Sequence, residues 1–321
     1  MGYHLVRYQH QGRIKWGIVK EEIIYEITGT YDTLASFLRT GVDEAKNILS
    51  TKDPMRRSFA EVEILSPVTE PAQIVCQGAN YGAHREEAGL TGQRPPFNLI
   101  FTKASSSMVG AYHDIYLPDH VQLLDYEIEV GLVIGKEITE PIKVTIENLH
   151  QYVVGVVLGN DISARDIQLA EGQWFKGKSF RTFCPVGPFL YLFDQDEAHY
   201  IHNLELTLSV NGQVRQTSNT AFMLYKPEET LTHLSQIMNL YPGDLLLTGT
   251  PGGVALKLTS EELETLWNPF APYDEKMELI IKSQKNNPDY LKVGDVIKCT
   301  AKSTDGKINL GTQENRIVRK S

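Results

Sequence analysis

The stretch Leu123–Lys136, LLDYEIEVGLVIGK, decides how the rest of the chain is read. Apolar and β-branched residues dominate it and no proline interrupts, so it reads as a strand. Side chains alternate between the faces of a strand. Asp125, Glu127 and Glu129 therefore share one face, and Tyr126, Ile128 and Val130 take the other. Gly131 to Ile134 continue without polar alternation, the pattern of a strand covered on both sides. Acids are rarely buried unless paired or bound to a metal. Two readings stand at this point: an edge strand with a solvated acidic face, or a buried strand whose three acids need a cation.

The composition narrows the class. A chain of 321 residues can build one large domain, or a large and a small one. Lys plus Arg number 31 against 40 Asp plus Glu, a net charge of −9. That argues against a nucleic-acid surface. Small anionic substrates remain open, because a bound divalent cation reverses the local field. No apolar run approaches the roughly 20 residues of a membrane helix. The first residues, MGYHLVRYQHQGR, lack the apolar core of a signal peptide. Cys76, Cys184 and Cys299 have no metal or redox spacing and read as small core residues. The expectation is a reduced, cytoplasmic protein with no membrane or nucleic-acid partner.

Taken in order, residues 3–27 hold two or three short strands, and Thr33–Leu49 has near-helical apolar spacing. SPVTEP at 66–71 reads as a linker, giving a small N-terminal domain over 1–65 and a larger one over 66–321. The strand AQIVCQG leads to a loop and short helix over 79–92. On that helix His84 and Glu87, three apart, share a face. A histidine held by a carboxylate is a standard general base, although a surface histidine beside acids is commoner. Gly89, Gly92, Pro95 and Pro96 suit a mobile lid. A short helix at 146–152 precedes an apolar strand ending at Asn160-Asp161. Asn211-Gly212 between alternating runs predicts a hairpin. Pro227–Asn239 predicts a helix with Leu231, Leu234, Ile237 and Met238 inward. The loop GTPGGV at 249–254 is an anion cradle or an ordinary turn. Residues 256–292 are less regular, apart from a capping box at Thr259 and Glu262 that starts a helix through Trp267. Strands outnumber helices without a βαβ rhythm, so the class is α+β, mainly β.

Five motifs occur in one order: NYGAH (80–84), DYEIE (125–129), NDISARDIQ (160–168), GKSFRTFCPVGP (177–188) and TGTPGG (248–253). Together they closely resemble the fumarylacetoacetate hydrolase family over about 71–321, and the N-terminal segment resembles the small domain that precedes it in many members. The resemblance implies a mixed β-roll or β-sandwich, usually a homodimer. It implies one Mg²⁺ or Mn²⁺ held by Glu127, Glu129 and Asp161, and all-oxygen ligation suits such hard cations. Lys178 falls on the family lysine, beside the acids. Arg165 and Gln168 match residues near the substrate pocket. Thr250, with the backbone of Gly252 and Gly253, falls on the loop placed against the substrate carboxylate. His84 and Glu87 match the His-x-x-Glu pair of hydrolase and decarboxylase members. Asp125 is not a family ligand and reads as a residue behind the ligands or at the strand entry.

Two features depart from the family pattern. Val75–Gly82 carries no acid, whereas eukaryotic fumarylacetoacetases have a further metal-ligating aspartate there. The chain therefore looks closer to the bacterial, acylpyruvase-like branch. Residues 256–292 also exceed the usual link, and would shape the pocket edge or the dimer contact. The expected activity is metal-dependent cleavage of a C–C bond in a small acylpyruvate or other 2-oxo acid. In that scheme Glu87 orients His84 to activate water, and Lys178 with the 249–253 loop stabilises the enolate. The same site would serve an oxaloacetate-type decarboxylase or a 2-hydroxy-diene-dioate isomerase. A non-catalytic binding protein on this fold is the alternative of another class.

Overall fold

The computed structural model describes residues 2–319; the first residue and the last two of the expected domain spans lie outside it. The acid strand runs Ile128–Ile134 with every residue buried. It is flanked by two antiparallel neighbours, Val153–Asn160 and Leu245–Leu247. Val130, Leu132 and Ile134 enter the larger core, while Val133 packs with Val157, Leu245 and Leu247 in a second core. Both faces are covered, which is why the run shows no polar alternation.

This strand lies inside a large mixed sheet. On one side the order continues through Leu245–Leu247, Ile74–Gly78 and Leu99–Lys103; on the other it passes Val153–Asn160 to Cys184–Leu192. There Tyr3–His10 pairs with Cys184–Leu192, so the N-terminal strands extend the same sheet. A second sheet of five strands holds the Asn211-Gly212 hairpin and the closing hairpin of Val296–Ser303 with Asn309–Val318. Asn211 and Gly212 have φ of 51° and 81°, the left-handed pair a two-residue hairpin turn needs. The fold is mainly β with helices added. The cysteines are buried and unpaired, as expected. No helix among the described residues is long and apolar enough to cross a membrane.

Several helices differ from expectation. The segment 33–49 is not continuous: helices Leu34–Thr40 and Val42–Asn47 meet at Gly41, followed by a 3-10 turn Ile48–Ser50. A Cβ at Gly41 would sit 2.6 Å from Phe37 and 2.8 Å from Tyr31, so those rings close over the break. Only a 3-10 turn, Leu149–Gln151, forms in the expected helix 146–152. The helix from Pro227 stops at Leu234, where the Ser235 hydroxyl accepts from Ile142 N, and Ile237 faces solvent rather than the core. Conversely, 256–292 is more regular than expected. It forms the helices Ser260–Trp267, with the capping box at Thr259, and Tyr273–Gln284. The second escaped notice because its buried residues, Lys276, Ile280 and Gln284, keep a four-residue spacing with only one apolar member.

Candidate active site

Strand register builds the acid cluster. Ile128 pairs with Asn160, so the next residue on each chain, Glu127 and Asp161, come together at one end of the sheet. Asp161 N donates to Glu127 O at 2.8 Å, and Glu127 N donates to the Asn160 side chain at 3.0 Å. The neighbouring strand Leu245–Leu247 ends beside them, and Gly249 N donates to Glu129 Oε2 at 2.8 Å. Carboxylate oxygens of Glu127, Glu129 and Asp161 all lie within 4.8 Å of one another, and the three residues are buried. Asp125 leaves the long strand and pairs with Ser163 in a two-residue ladder. Its carboxylate accepts from Arg165 Nε at 2.8 Å and from the backbone of Ala255 and Leu256. It fixes Arg165 and the start of the 256–292 segment behind the acid cluster.

Three buried cations face these acids. Lys178, at the end of the helix Trp174–Lys178, donates to Glu127 Oε2 at 2.8 Å and Asp161 Oδ2 at 2.7 Å. Arg165 Nη2 lies 2.6 Å from Glu127 Oε1, and Nη1 donates to Gln168 at 3.0 Å. The third cation, Lys103, donates to Asp161 Oδ1 at 2.5 Å. Sequence reasoning missed it. Its one signal is a charge closing the apolar strand LIFTK. Gln216 was missed as well: its side chain accepts from Ile128 N and donates to Thr250 Oγ1 and Pro251 O, tying the 249–253 loop to the acid strand. A glutamine within an alternating hairpin carries no signal of that role.

The charges act on each other. Burial opposes ionisation of Glu127, but Lys178, then Arg165 and His84, outweigh it and hold the carboxyl below its ordinary range. Burial, then Asp161 and Glu127, push the Glu129 carboxyl well above its ordinary range. Burial also disfavours the Lys178 charge, yet Asp161 and Glu127 keep its affinity for the proton raised.

The expected histidine dyad and anion cradle are arranged differently. His84 Nδ1 is 4.0 Å from Glu87 Oε2, beyond hydrogen-bonding distance, and has no hydrogen-bond partner. Glu87 instead accepts from Gly253 N at 2.9 Å and pairs with Lys257. The Gly253 N–H thus serves an internal carboxylate rather than a substrate. Gly253 has φ 104° and a Cβ there would strike Arg215 O, so its glycine is a backbone requirement. Gly252 packs on Ala83. Thr250 does reach the cavity wall, but its hydroxyl donates to Ile128 O at 2.9 Å.

A cavity of about 400 Å³ opens above the cluster. Its floor is polar, with His84, Glu127, Arg165, Gln168, Lys178 and Thr250. Glu129 and Asp161 lie behind this floor. The floor can bind an anionic head group and stabilise negative charge that develops on it.

The residues suit a hard divalent cation. Glu129 has two acids beside it and one backbone N–H in support, so a further positive charge is electrostatically favoured there. The donors are oxygens alone, the set magnesium or manganese takes. The lysine contacts leave room, because each ionised carboxylate oxygen has two acceptor sites. Asp125, Glu127, Glu129 and Asp161 outnumber Lys103, Lys178 and Arg165 by one. A divalent cation bound among them would more than offset the one extra acid.

Comparisons with known proteins agree with this architecture. Residues 73–318 match the family model described as fumarylacetoacetate (FAA) hydrolase C-terminal, and residues 4–67 match an Rv2993c-like N-terminal model. The chain is 41% identical over 228 residues to the rat mitochondrial oxaloacetate tautomerase Fahd2a, covering 70% of each. It is 33% identical over 270 residues to the Xenopus laevis mitochondrial oxaloacetate tautomerase fahd2, covering 83% of this chain and 74% of that one. Among solved structures it resembles a fumarylacetoacetate hydrolase from Exiguobacterium antarcticum, with TM-score 0.75 and 28% identity over 99% of this chain and 100% of that one. A 2-hydroxyhepta-2,4-diene-1,7-dioate isomerase from Mycobacterium marinum gives TM-score 0.69 and 26% identity over 99% of both chains. The chain belongs to the fumarylacetoacetate hydrolase family and is an enzyme of it.

Proposed function

We propose that this enzyme interconverts the keto and enol forms of a small 2-oxo acid, using a Mg²⁺ or Mn²⁺ held by Glu127, Glu129 and Asp161. Bound there, the cation would supply Lewis acidity toward a chelating carboxylate and keto oxygen. The chain's own residues do the rest. Lys178 and Arg165 place positive charge at the floor, where an enolate oxygen develops. Lys178 donates to two carboxylates and keeps its proton, so it stabilises charge rather than carrying protons. His84 lines the cavity, which suits it to take a proton from the carbon beside the keto group and pass it to the enolate oxygen, and to run the same transfer in reverse.

The observation that carries this reading over hydrolysis is the engagement of Glu87. It is bound to Gly253 and Lys257 and does not hydrogen-bond His84. That engagement makes the pair less suited to activating water, while Lys178 and Arg165 at the floor suit stabilisation of an enolate. The tautomerase names of the relatives point the same way. Hydrolysis is the second reading, because 4.0 Å is within reach of a side-chain rotation.

The test is product analysis with Mg²⁺ or Mn²⁺ on oxaloacetate and acetylpyruvate. Keto–enol exchange should run far above the buffer rate, with little acid released by cleavage. His84→Gln should slow exchange about 100-fold. Cleavage that outpaces exchange would return the hydrolase reading.

A further inference from the structure

The floor just described accounts for only part of the cavity. At about 400 Å³ the space falls in the range that holds drug-sized ligands, about 300–1,000 Å³, and exceeds the needs of a four-carbon acid. The remaining wall is mostly apolar, Gln77 and Arg85 excepted. One side is Phe101 and Trp174, meeting edge to face with centroids 5.2 Å apart, with Lys178 Nζ 5.2 Å from the Phe101 centroid. The other side comes from the 256–292 segment: Leu256, Leu258, Leu263 and Trp267. Leu90 and Phe97 complete it from the 88–97 loop. Phe97 and Trp267 are 62% and 53% exposed, which marks them as the mouth. Rings left wet at a pocket mouth gain from being covered by an apolar ligand.

One cation interrupts this wall. Arg85 is buried, and among the described residues no acid pairs with it. Its Nε donates to Thr91 O at 2.8 Å, which anchors the loop that carries Leu90 and Phe97. That contact uses one of its five N–H groups and leaves its charge without an acidic partner.

We infer that the outer cavity receives an apolar substituent, so that the substrate is a 2-oxo acid bearing an alkyl or aryl group remote from its carboxylate. This rests on the proposed function, which seats the 2-oxo acid head on the floor. The head is fixed by charge and the tail by the burial of apolar area, which is non-directional and grows with length.

The test uses the full-length protein with saturating Mg²⁺ and calorimetric titration of pyruvate, 2-oxobutyrate, 2-oxohexanoate, 2-oxooctanoate, phenylpyruvate and the diacid 2-oxoadipate. Kd should fall about fourfold per added methylene until the wall is filled. Phenylpyruvate should bind at least tenfold more tightly than pyruvate. Leu263→Asp should flatten the series, and Trp267→Ala should lower its slope should the aspartate variant fail to fold. A flat series in the wild-type protein overturns the inference while leaving the proposed function standing. Tighter binding of 2-oxoadipate than of 2-oxohexanoate, lost in Arg85→Gln, also overturns it and assigns the wall to a second carboxylate. Failure of every 2-oxo acid to bind in a Mg²⁺-dependent way removes the proposed function itself.

Discussion

The floor and the outer wall of one cavity are built in opposite ways. The acids of the floor hang from strand ends, and Arg165 and Lys178 reach them from short helices. Sheet register places Glu127 beside Asp161, and a fully paired strand holds each backbone position. Apart from Phe101 on the strand Leu99–Lys103, the wall residues named above hang from helices and loops that pack on the rim, with Trp267 and Phe97 half open to solvent. Charges demand fixed geometry, because a buried unpaired ion costs several kcal/mol. Apolar area does not, because its contribution depends on area rather than angle. A rigid charged floor below an adaptable wall is the arrangement expected when one chemical step serves substrates with different tails.

The contrast predicts graded effects. Asp161→Asn removes a proposed metal ligand and leaves Lys103 and Lys178 facing a neutral amide. Activity should fall by more than 1,000-fold, measured as keto–enol exchange at saturating metal, and thermal unfolding should show some loss of stability. Wild-type-like exchange would break the contrast outright. Lys178→Met removes the charge that would face the enolate of the proposed reaction. A loss of about 100- to 1,000-fold in kcat is expected, the scale of a lost charge-stabilising donor.

Asp125→Asn tests whether the floor depends on what stands behind it. Asp125 holds Arg165 Nε and two backbone N–H groups. Breaking that buried pair should destabilise the fold by about 3–5 kcal/mol, read by chemical denaturation. A change below about 1 kcal/mol would show that Arg165 is held by Glu127 alone. At the small end, Lys257→Met removes a half-exposed partner of Glu87. Such pairs contribute about 0.2–1 kcal/mol, so exchange should change no more than about fivefold. A rise in cleavage relative to exchange would show that freeing Glu87 lets it engage His84.

The same contrast explains what the sequence disclosed. The acids of DYEIE can be read because strand alternation puts them on one face, and the family resemblance adds Asp161 as an expected third ligand, together with Lys178. Arg165 and Gln168 sit at the floor beside them, although Arg165 is as much a buried ion-pair partner of Asp125 as a group facing the cavity. Lys103 stayed hidden because a lone lysine at a strand end looks like any solvated lysine; only the sheet order Leu245–Leu247, Ile74–Gly78, Leu99–Lys103 carries it to Asp161. The glycines of GTPGGV were visible, but not that Gly253 would spend its N–H on Glu87. The helix Tyr273–Gln284, outside the cavity lining, was least legible: it buries Lys276 and Gln284 on its inner face, so no apolar stripe announces it.

The most direct measurement of the central claim is calorimetric titration of Mn²⁺ into metal-stripped protein, compared with Glu129→Gln. Glu129 is crowded by two other acids and supported by one backbone N–H, so among the proposed ligands its charge most requires a cation. The account predicts one Mn²⁺ per wild-type chain and affinity weakened at least 100-fold in Glu129→Gln, with the circular dichroism spectrum unchanged. Equal Mn²⁺ affinity in the two proteins, or no binding by the wild-type chain, would contradict it.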